Sequence, residues 1–206
     1  MGHFLTAKLL GLETDSIYIY PLGGISKINM PLNIAIYKDI LILIMGPIFQ
    51  FIAYYILIYI FNDYDLITRY HIGILVFNCL PIYPLDGGKF LNIIFTCFTP
   101  YKLAYKIIII ISYLINIIIL FCNDKLSVNM ILIYVVLIIM IRKEELKTNV
   151  RYNKFLLERY LNNYNYKKNK IVKNINNYYR TKNNIIIKDN VYYNEKEILR
   201  KKYHNF

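Results

Sequence analysis

Tryptophan is absent from this 206-residue sequence, and cysteine, proline and glycine are scarce, at 3, 6 and 8. The cysteines, Cys79, Cys97 and Cys122, are odd in number and lie in apolar stretches. That excludes a disulfide-stapled secreted domain, and all three read as small apolar residues. Acidic residues are also few, 13 against 25 Lys and Arg. The shortage of charge is uneven: residues 1–141 carry 8 Lys/Arg and 7 Asp/Glu, whereas residues 142–206 carry 17 and 6. An apolar, nearly neutral two thirds joined to a basic third excludes an ordinary soluble enzyme and a wholly disordered chain. It indicates a membrane protein with a basic tail. Ile, Asn, Lys and Tyr dominate, the bias an AT-rich genome imposes, so positions carry more meaning than totals.

Residues 1–12 form part of an apolar helix, without the basic flank and small-residue cleavage site of a signal peptide. They are too few to cross a bilayer, which takes about 20 residues. Ile17–Tyr20 and Ile25–Ile28 read as two short strands around a turn at Gly23-Gly24. Ile40–Phe61 is a strong transmembrane span, free of charge, with Gln50 its one strongly polar side chain and a Gly46-Pro47 break. Asn62–Tyr70 reads as a polar loop. Residues 71–98 are apolar but interrupted at 78–88, and further spans follow near Ile107–Cys122 and Val128–Ile141, separated by a turn at Asn123-Asp124-Lys125. The tail begins with a helix at Arg151–Leu161 and continues through a linker at 162–184. It ends in a hairpin at Ile185–Tyr193 and a short helix near Glu195–Lys202.

Positive charge sets the orientation. With 17 basic residues the tail stays in the cytoplasm. Counting back, the 99–106 loop and the 13–39 segment lie inside, and the 62–70 loop and the 123–127 turn lie outside. Lys27, Lys38, Lys102 and Lys106 then fall inside, and only Arg69 and Lys125 outside.

The interruption Asn78-Cys79-Leu80-Pro81-Ile82-Tyr83-Pro84-Leu85-Asp86-Gly87-Gly88 is the most informative segment. Two prolines and two glycines cannot continue a smooth helix. Backbone freed from helical bonding is tolerated at membrane depth only inside protein or beside water. An ionisable Asp86 in that break marks a functional site, although a surface loop with Asp86 capping a helix would show the same residues. His3 has little meaning by itself and gains it by pairing with Asp86.

Together these residues resemble the site-2 protease family of intramembrane zinc metalloproteases (peptidase family M50). That family carries a His-Glu-x-x-His helix and, on a later span, a motif of the type Asn-x-x-Pro-x-x-Pro-Leu-Asp-Gly-Gly, which residues 78–88 match at every specified position. Pro21-Leu22-Gly23-Gly24 resembles the glycine-rich strand after the zinc helix, and Gly46-Pro47 the Gly-Pro of the next span. Arg151–Tyr160 resembles the cytoplasmic segment of the stage IV sporulation protein FB branch. The resemblance covers residues 1 to about 160. Two histidines one helical turn apart and a carboxylate from another span would hold Zn²⁺, leaving a fourth position for water.

The resemblance implies an α-helical polytopic membrane protein. Residues 1–141 would form a protease core, with a partial first helix, a small β-hairpin and about four further spans. Residues 142–206 would form a basic cytoplasmic tail, too short for the paired regulatory domain of some relatives. His3 and Asp86 are the implied metal ligands. Asn78 is either an oxyanion or substrate-positioning donor or a partner for freed backbone at the break. Gly87 and Gly88 are expected to let the backbone turn tightly behind Asp86. The implied substrate is a membrane-associated protein, such as a sporulation sigma-factor precursor, with regulatory membrane proteins as partners.

Some features depart from the family pattern. His3 aligns with the second histidine of His-Glu-x-x-His, so the first histidine and the glutamate would stand directly before Met1. On that alignment Met1 is an internal methionine, and this chain alone is expected to be inactive and to bind zinc weakly. A non-catalytic pseudo-protease scaffold is the alternative. Gln50 stands where the family often has Asn. Glu13 and Asp15 read as solvated charges, and His71 and His204 as bystanders. The tail suits an anionic lipid surface better than nucleic acid.

Overall fold

The computed structural model describes residues 2–20, 23–28, 30–122, 127–188 and 191–203. His204 and most of the 123–127 turn lie outside them. Helix α1 (Gly2–Leu9) leads into an antiparallel pair, β1 (Thr14–Tyr20) and β2 (Gly23–Ile28). Gly23 and Gly24 are paired residues of β2, opposite Tyr20 and Ile19, rather than the turn. The connection falls at 21–22, outside the described residues.

Helix α2 (Ile36–Phe61) ends where Asn62 adopts a left-handed conformation and its N–H reaches the Ile58 carbonyl. The expected loop at Asn62–Tyr70 is mostly helix. Asp63 accepts a hydrogen bond from the Leu66 N–H and so starts α3 (Tyr64–Cys79) two residues after α2 stops. After the interruption come α4 (Asp86–Phe98), α5 (Tyr101–Phe121) and α6 (Val128–Leu161). The 99–106 loop is therefore short, since Pro100 precedes the first residue of α5.

Among the described residues two helices, α2 and α5, are long and apolar enough to cross a membrane. Only 6% of the most apolar stretch of α2 is buried within the protein. A core helix of a water-soluble fold would hide that surface. Leu41, Ile44, Ile48, Phe51, Ile52, Tyr55 and Ile56 instead present a continuous apolar face outward, as a lipid-facing span does. Cys79 and Cys122 are exposed on helix ends, Cys97 is half-buried, and all three are free thiols.

Helix α6 does not stop at Ile141. Its 34 residues carry it without interruption from the apolar stretch through Glu144, Arg151 and Arg159. The segment 162–184 is not a linker. Within it lie β3 (Asn169–Val172), a short 3₁₀ turn (Ile175–Asn177) and the start of β4 (Asn183–Lys188). β3 runs parallel to β4, and β4 pairs antiparallel with β5 (Val191–Asn194) from Ile185 opposite Asn194 to Lys188 opposite Val191. Helix α7 (Glu195–Tyr203) closes the unit. Phe155, Leu156, Val172, Tyr178, Ile186 and Leu199 are buried together and continuous with the core of the helical bundle. Tyr101 at the start of α5 stacks on Phe155 with ring centroids 4.2 Å apart.

Candidate metal centre

The break between α3 and α4 is buried, with Ile82, Tyr83 and Leu85 all under a tenth exposed. That fits backbone enclosed by protein rather than a loop on a membrane surface. Its freed groups find partners: the Tyr83 N–H donates to Ser112 Oγ of α5 at 2.8 Å, and the Leu85 N–H to the Ile82 carbonyl at 2.8 Å. Asp86 is the first residue of α4, and its carboxylate bonds two side chains, His3 and Lys89.

Gly87 and Gly88 act differently from expectation. Both are helical, and neither has a positive φ. They matter for clearance. A Cβ on Gly87 would lie 2.3 Å from the Cys79 carbonyl oxygen, and one on Gly88 2.4 Å from the Ile82 carbonyl carbon. Glycine therefore lets the first turn of α4 sit directly against the broken backbone, and this fixes where Asp86 points.

The opposite wall is built by α1 on α2. A Cβ on Gly2 would lie 2.3 Å from the Met45 carbonyl oxygen, and one on Gly46 2.3 Å from the His3 ring. Two glycines on facing helices thus bring the imidazole flat onto α2. There Nδ1 lies 2.9 Å from the Ile42 carbonyl oxygen, and Nε2 lies 3.2 Å from Asp86 Oδ2. Residues 83 positions apart in sequence meet at one point.

The hydrogen-bond roles follow from the acceptor. A carbonyl oxygen only accepts, so Nδ1 carries the proton and donates to Ile42. In the neutral ring Nε2 then holds a lone pair aimed at a carboxylate oxygen. Two acceptors at 3.2 Å require a positive charge between them, either a second proton on the ring or a cation. Two ligands of a tetrahedral zinc, each about 2.0–2.1 Å from the ion, stand about 3.3 Å apart, so this pair fits adjacent corners. The Ile42 carbonyl is the backbone partner that fixes a ligating histidine's tautomer and ring plane. Lys89 Nζ, 3.0 Å from Asp86 Oδ1, occupies the other carboxylate oxygen and leaves Oδ2 for the shared point. Among the described residues no group of three or more His, Cys, Asp and Glu side chains forms a metal cluster.

Asn78 lies on the last turn of α3, half-buried. No hydrogen bond ties its side chain to the broken backbone among the described residues. Gln50 donates from Nε2 to the His71 carbonyl at 3.0 Å and ties α2 to α3. His71 does not join the pair. It stacks on Tyr54 at 4.4 Å, edge-on to Phe51, with its Nε2 buried and unpartnered among the described residues. Glu13 is exposed, and the Asp15 side chain lies outside the described residues.

A cavity of about 580 Å³ opens beside His3. Its walls come from α2 (Asp39, Ile42), α4 (Lys89, Asn92), α6 (Lys147, Arg151, Lys154) and the C-terminal unit (Arg180). Sequence reading missed the Ile42 carbonyl, Asn92 and Arg180. The Asp86–Lys89 spacing of three was a readable signal for a helical ion pair, whereas the others depend on tertiary packing.

No protein-family model matches the chain. It is 27% identical over 171 residues to stage IV sporulation protein FB of Bacillus subtilis (strain 168), covering 78% of this chain and 59% of that protein. It is 28% identical over 155 residues to a zinc metalloprotease of Methanocaldococcus jannaschii, covering 70% of this chain and 44% of that protein. The chain thus spans about half the length of the curated relatives it matches. These similarities, with the motif at 78–88, support a relationship to the site-2 (M50) type of protease.

Proposed function

We propose that this chain is the core of an intramembrane zinc metalloprotease that cleaves a membrane-associated protein, with His3 Nε2 and Asp86 Oδ2 as two of the metal ligands. The observation that carries the reading is the contact of His3 Nε2 with an Asp86 carboxylate oxygen at 3.2 Å, the ring being oriented by Ile42. The family motif His-Glu-x-x-His would supply the remaining histidine and the glutamate. Zinc, when bound, supplies a Lewis acid and an acidified water. The chain's own residues hold and orient. Ile42 fixes the His3 tautomer, Lys89 steers Asp86, and the buried break limits water around the carboxylate. Asn78 offers its amide N–H to a substrate carbonyl oxygen.

The similarity to a sporulation protein supports a sigma-factor precursor as substrate and regulatory membrane proteins as partners. The cytoplasmic placing of the tail is supported by what it touches. Arg180 Nη2 donates to the Ile34 carbonyl and to Asp39 Oδ2, Glu158 accepts from the Leu32 N–H, and the Tyr101 N–H donates to the Tyr178 carbonyl. Residues 13–39 and 99–106, which positive charge assigns to the inner side, are among those that meet it.

A non-catalytic scaffold is the second reading, favoured by the lack of a third protein ligand among the described residues. The test is co-expression of the gene, with its upstream in-frame sequence, and a tagged sigma-factor precursor in membranes. Cleavage lost in both His3→Ala and Asp86→Asn supports the protease. Cleavage unchanged by either substitution refutes these ligands, and no cleavage in any form favours the scaffold.

A further inference from the structure

The cavity beside His3 holds more positive charge than its neighbours neutralise. Five cations line it: Lys89, Lys147, Arg151, Lys154 and Arg180. Three carboxylates answer them. Asp86 pairs with Lys89, Asp39 with Arg180, and Glu144 with both Lys147 and Arg151. Lys154 has no ion pair among the described residues. Two further groups are buried and incompletely bonded. Asn92 is 5% exposed and its Oδ1 has no partner, and Arg180 is 5% exposed and its Nε has none, among the described residues. Buried polar atoms left this way cost free energy unless a ligand or water meets them.

The pattern of unmet groups discriminates between ligands. A lipid phosphodiester group offers acceptors only, which suit Arg180 and Lys154 but leave Asn92 Oδ1 without a donor, and inorganic phosphate can reach Asn92 Oδ1 only through a P–O–H. A peptide offers N–H and C=O together, the complement of a carboxamide and a guanidinium N–H. The volume of about 580 Å³ is in the range of specific ligand sites.

Resting on the protease reading, we propose that this cavity seats an acidic, extended segment of the substrate polypeptide. Its carboxylates meet Lys154 and the Arg151–Lys147 edge, and its backbone bonds Asn92 and Arg180. His3 lines the same space, so the segment lies next to the candidate metal ligands. The C-terminal unit, through Arg180, forms part of the substrate site.

The test uses the whole chain in nanodiscs of neutral lipid and a short fluorescent peptide carrying two aspartates, compared with its diasparagine counterpart. Charge-assisted bonds predict binding of the acidic peptide at least about tenfold tighter. The preference should be lost in Lys154→Glu, kept in Lys154→Arg and weakened by salt. Lys154 is exposed, so these variants fold as the parent does. Equal binding of the two peptides, or a preference unaffected by Lys154→Glu, overturns the proposal. So does full displacement by inorganic phosphate, which would mark a simple anion site, or by anionic-lipid vesicles, which would mark a headgroup site. Zinc affinity is titrated in the same samples: peptide preference with a zinc affinity that His3→Ala and Asp86→Asn leave unchanged would remove the metal ligands and leave this inference standing, and zinc binding weakened by both substitutions without peptide preference would do the reverse.

Discussion

At the residue scale, the candidate centre depends on absent side chains as much as on present ones. The His3 imidazole lies where a Gly46 Cβ would be, 2.3 Å away. Gly46→Ala must push the ring off α2 and away from the Ile42 carbonyl. We expect zinc affinity to fall at least about tenfold while far-UV circular dichroism stays unchanged, because one helical Ala in place of Gly favours the helix itself. Equilibrium dialysis with zinc reads the first and dichroism the second. Gly88→Ala meets backbone rather than a ring. Overpacking of that kind costs about 1–3 kcal/mol, and a lowered thermal midpoint is the expected result. Asp86 and its glycines were readable in the sequence because a motif of fixed identities marks them. The reason for the glycines was not readable, since close approach and a positive φ leave the same letter in a sequence.

At the element scale, α6 joins the membrane bundle to the C-terminal unit. Glu144 holds its middle by bonding Arg151 Nη2 at 2.7 Å and Lys147 Nζ at 3.1 Å. Burial disfavours the ionised form of Glu144, but Arg151 and Lys147 prevail and hold its carboxyl below the ordinary glutamate value. A folded value below the unfolded one contributes stability that is fully present above the unfolded value. That stability is lost as pH falls through the folded value. The thermal midpoint should therefore begin to fall as pH drops below about 4.3, and Glu144→Gln should flatten that slope. An unchanged slope in the variant would remove Glu144 from this role. The unbroken course of α6 was not legible, because apolar periodicity ends near Ile141 and a charged surface helix follows with a different pattern. The start of α3 at Tyr64 was hidden for a similar reason, since a polar first turn capped by Asp63 reads as loop.

At the scale of the whole molecule, the basic tail is a folded unit seated on the bundle. Arg159 is the hub, its side chain 2% exposed. Nε donates to Asn33 Oδ1, Nη1 to Glu195 and the Lys182 carbonyl, and Nη2 to the Tyr179 and Arg180 carbonyls. Removing one partner of a buried pair costs about 3–5 kcal/mol. Arg159→Ala should therefore loosen the unit and expose it to limited proteolysis near 162–184, while α2 and α5 stay protected. Cleavage no faster than in the parent would contradict this. In sequence this region looked like a linker because its Asn, Lys and Tyr match the overall compositional bias. What orders it is one guanidinium reaching three carbonyls and a carboxylate across the chain. The two apolar helices α2 and α5, by contrast, were legible, because long runs of uncharged apolar residues have few alternative solutions.

The account rests on His3 and Asp86 sharing one divalent cation, and zinc binding by the purified chain tests it most directly. With two of its ligands in this chain, zinc should bind weakly, and His3→Ala and Asp86→Asn should each lower the affinity at least about tenfold. Zinc held equally well by both variants would contradict it.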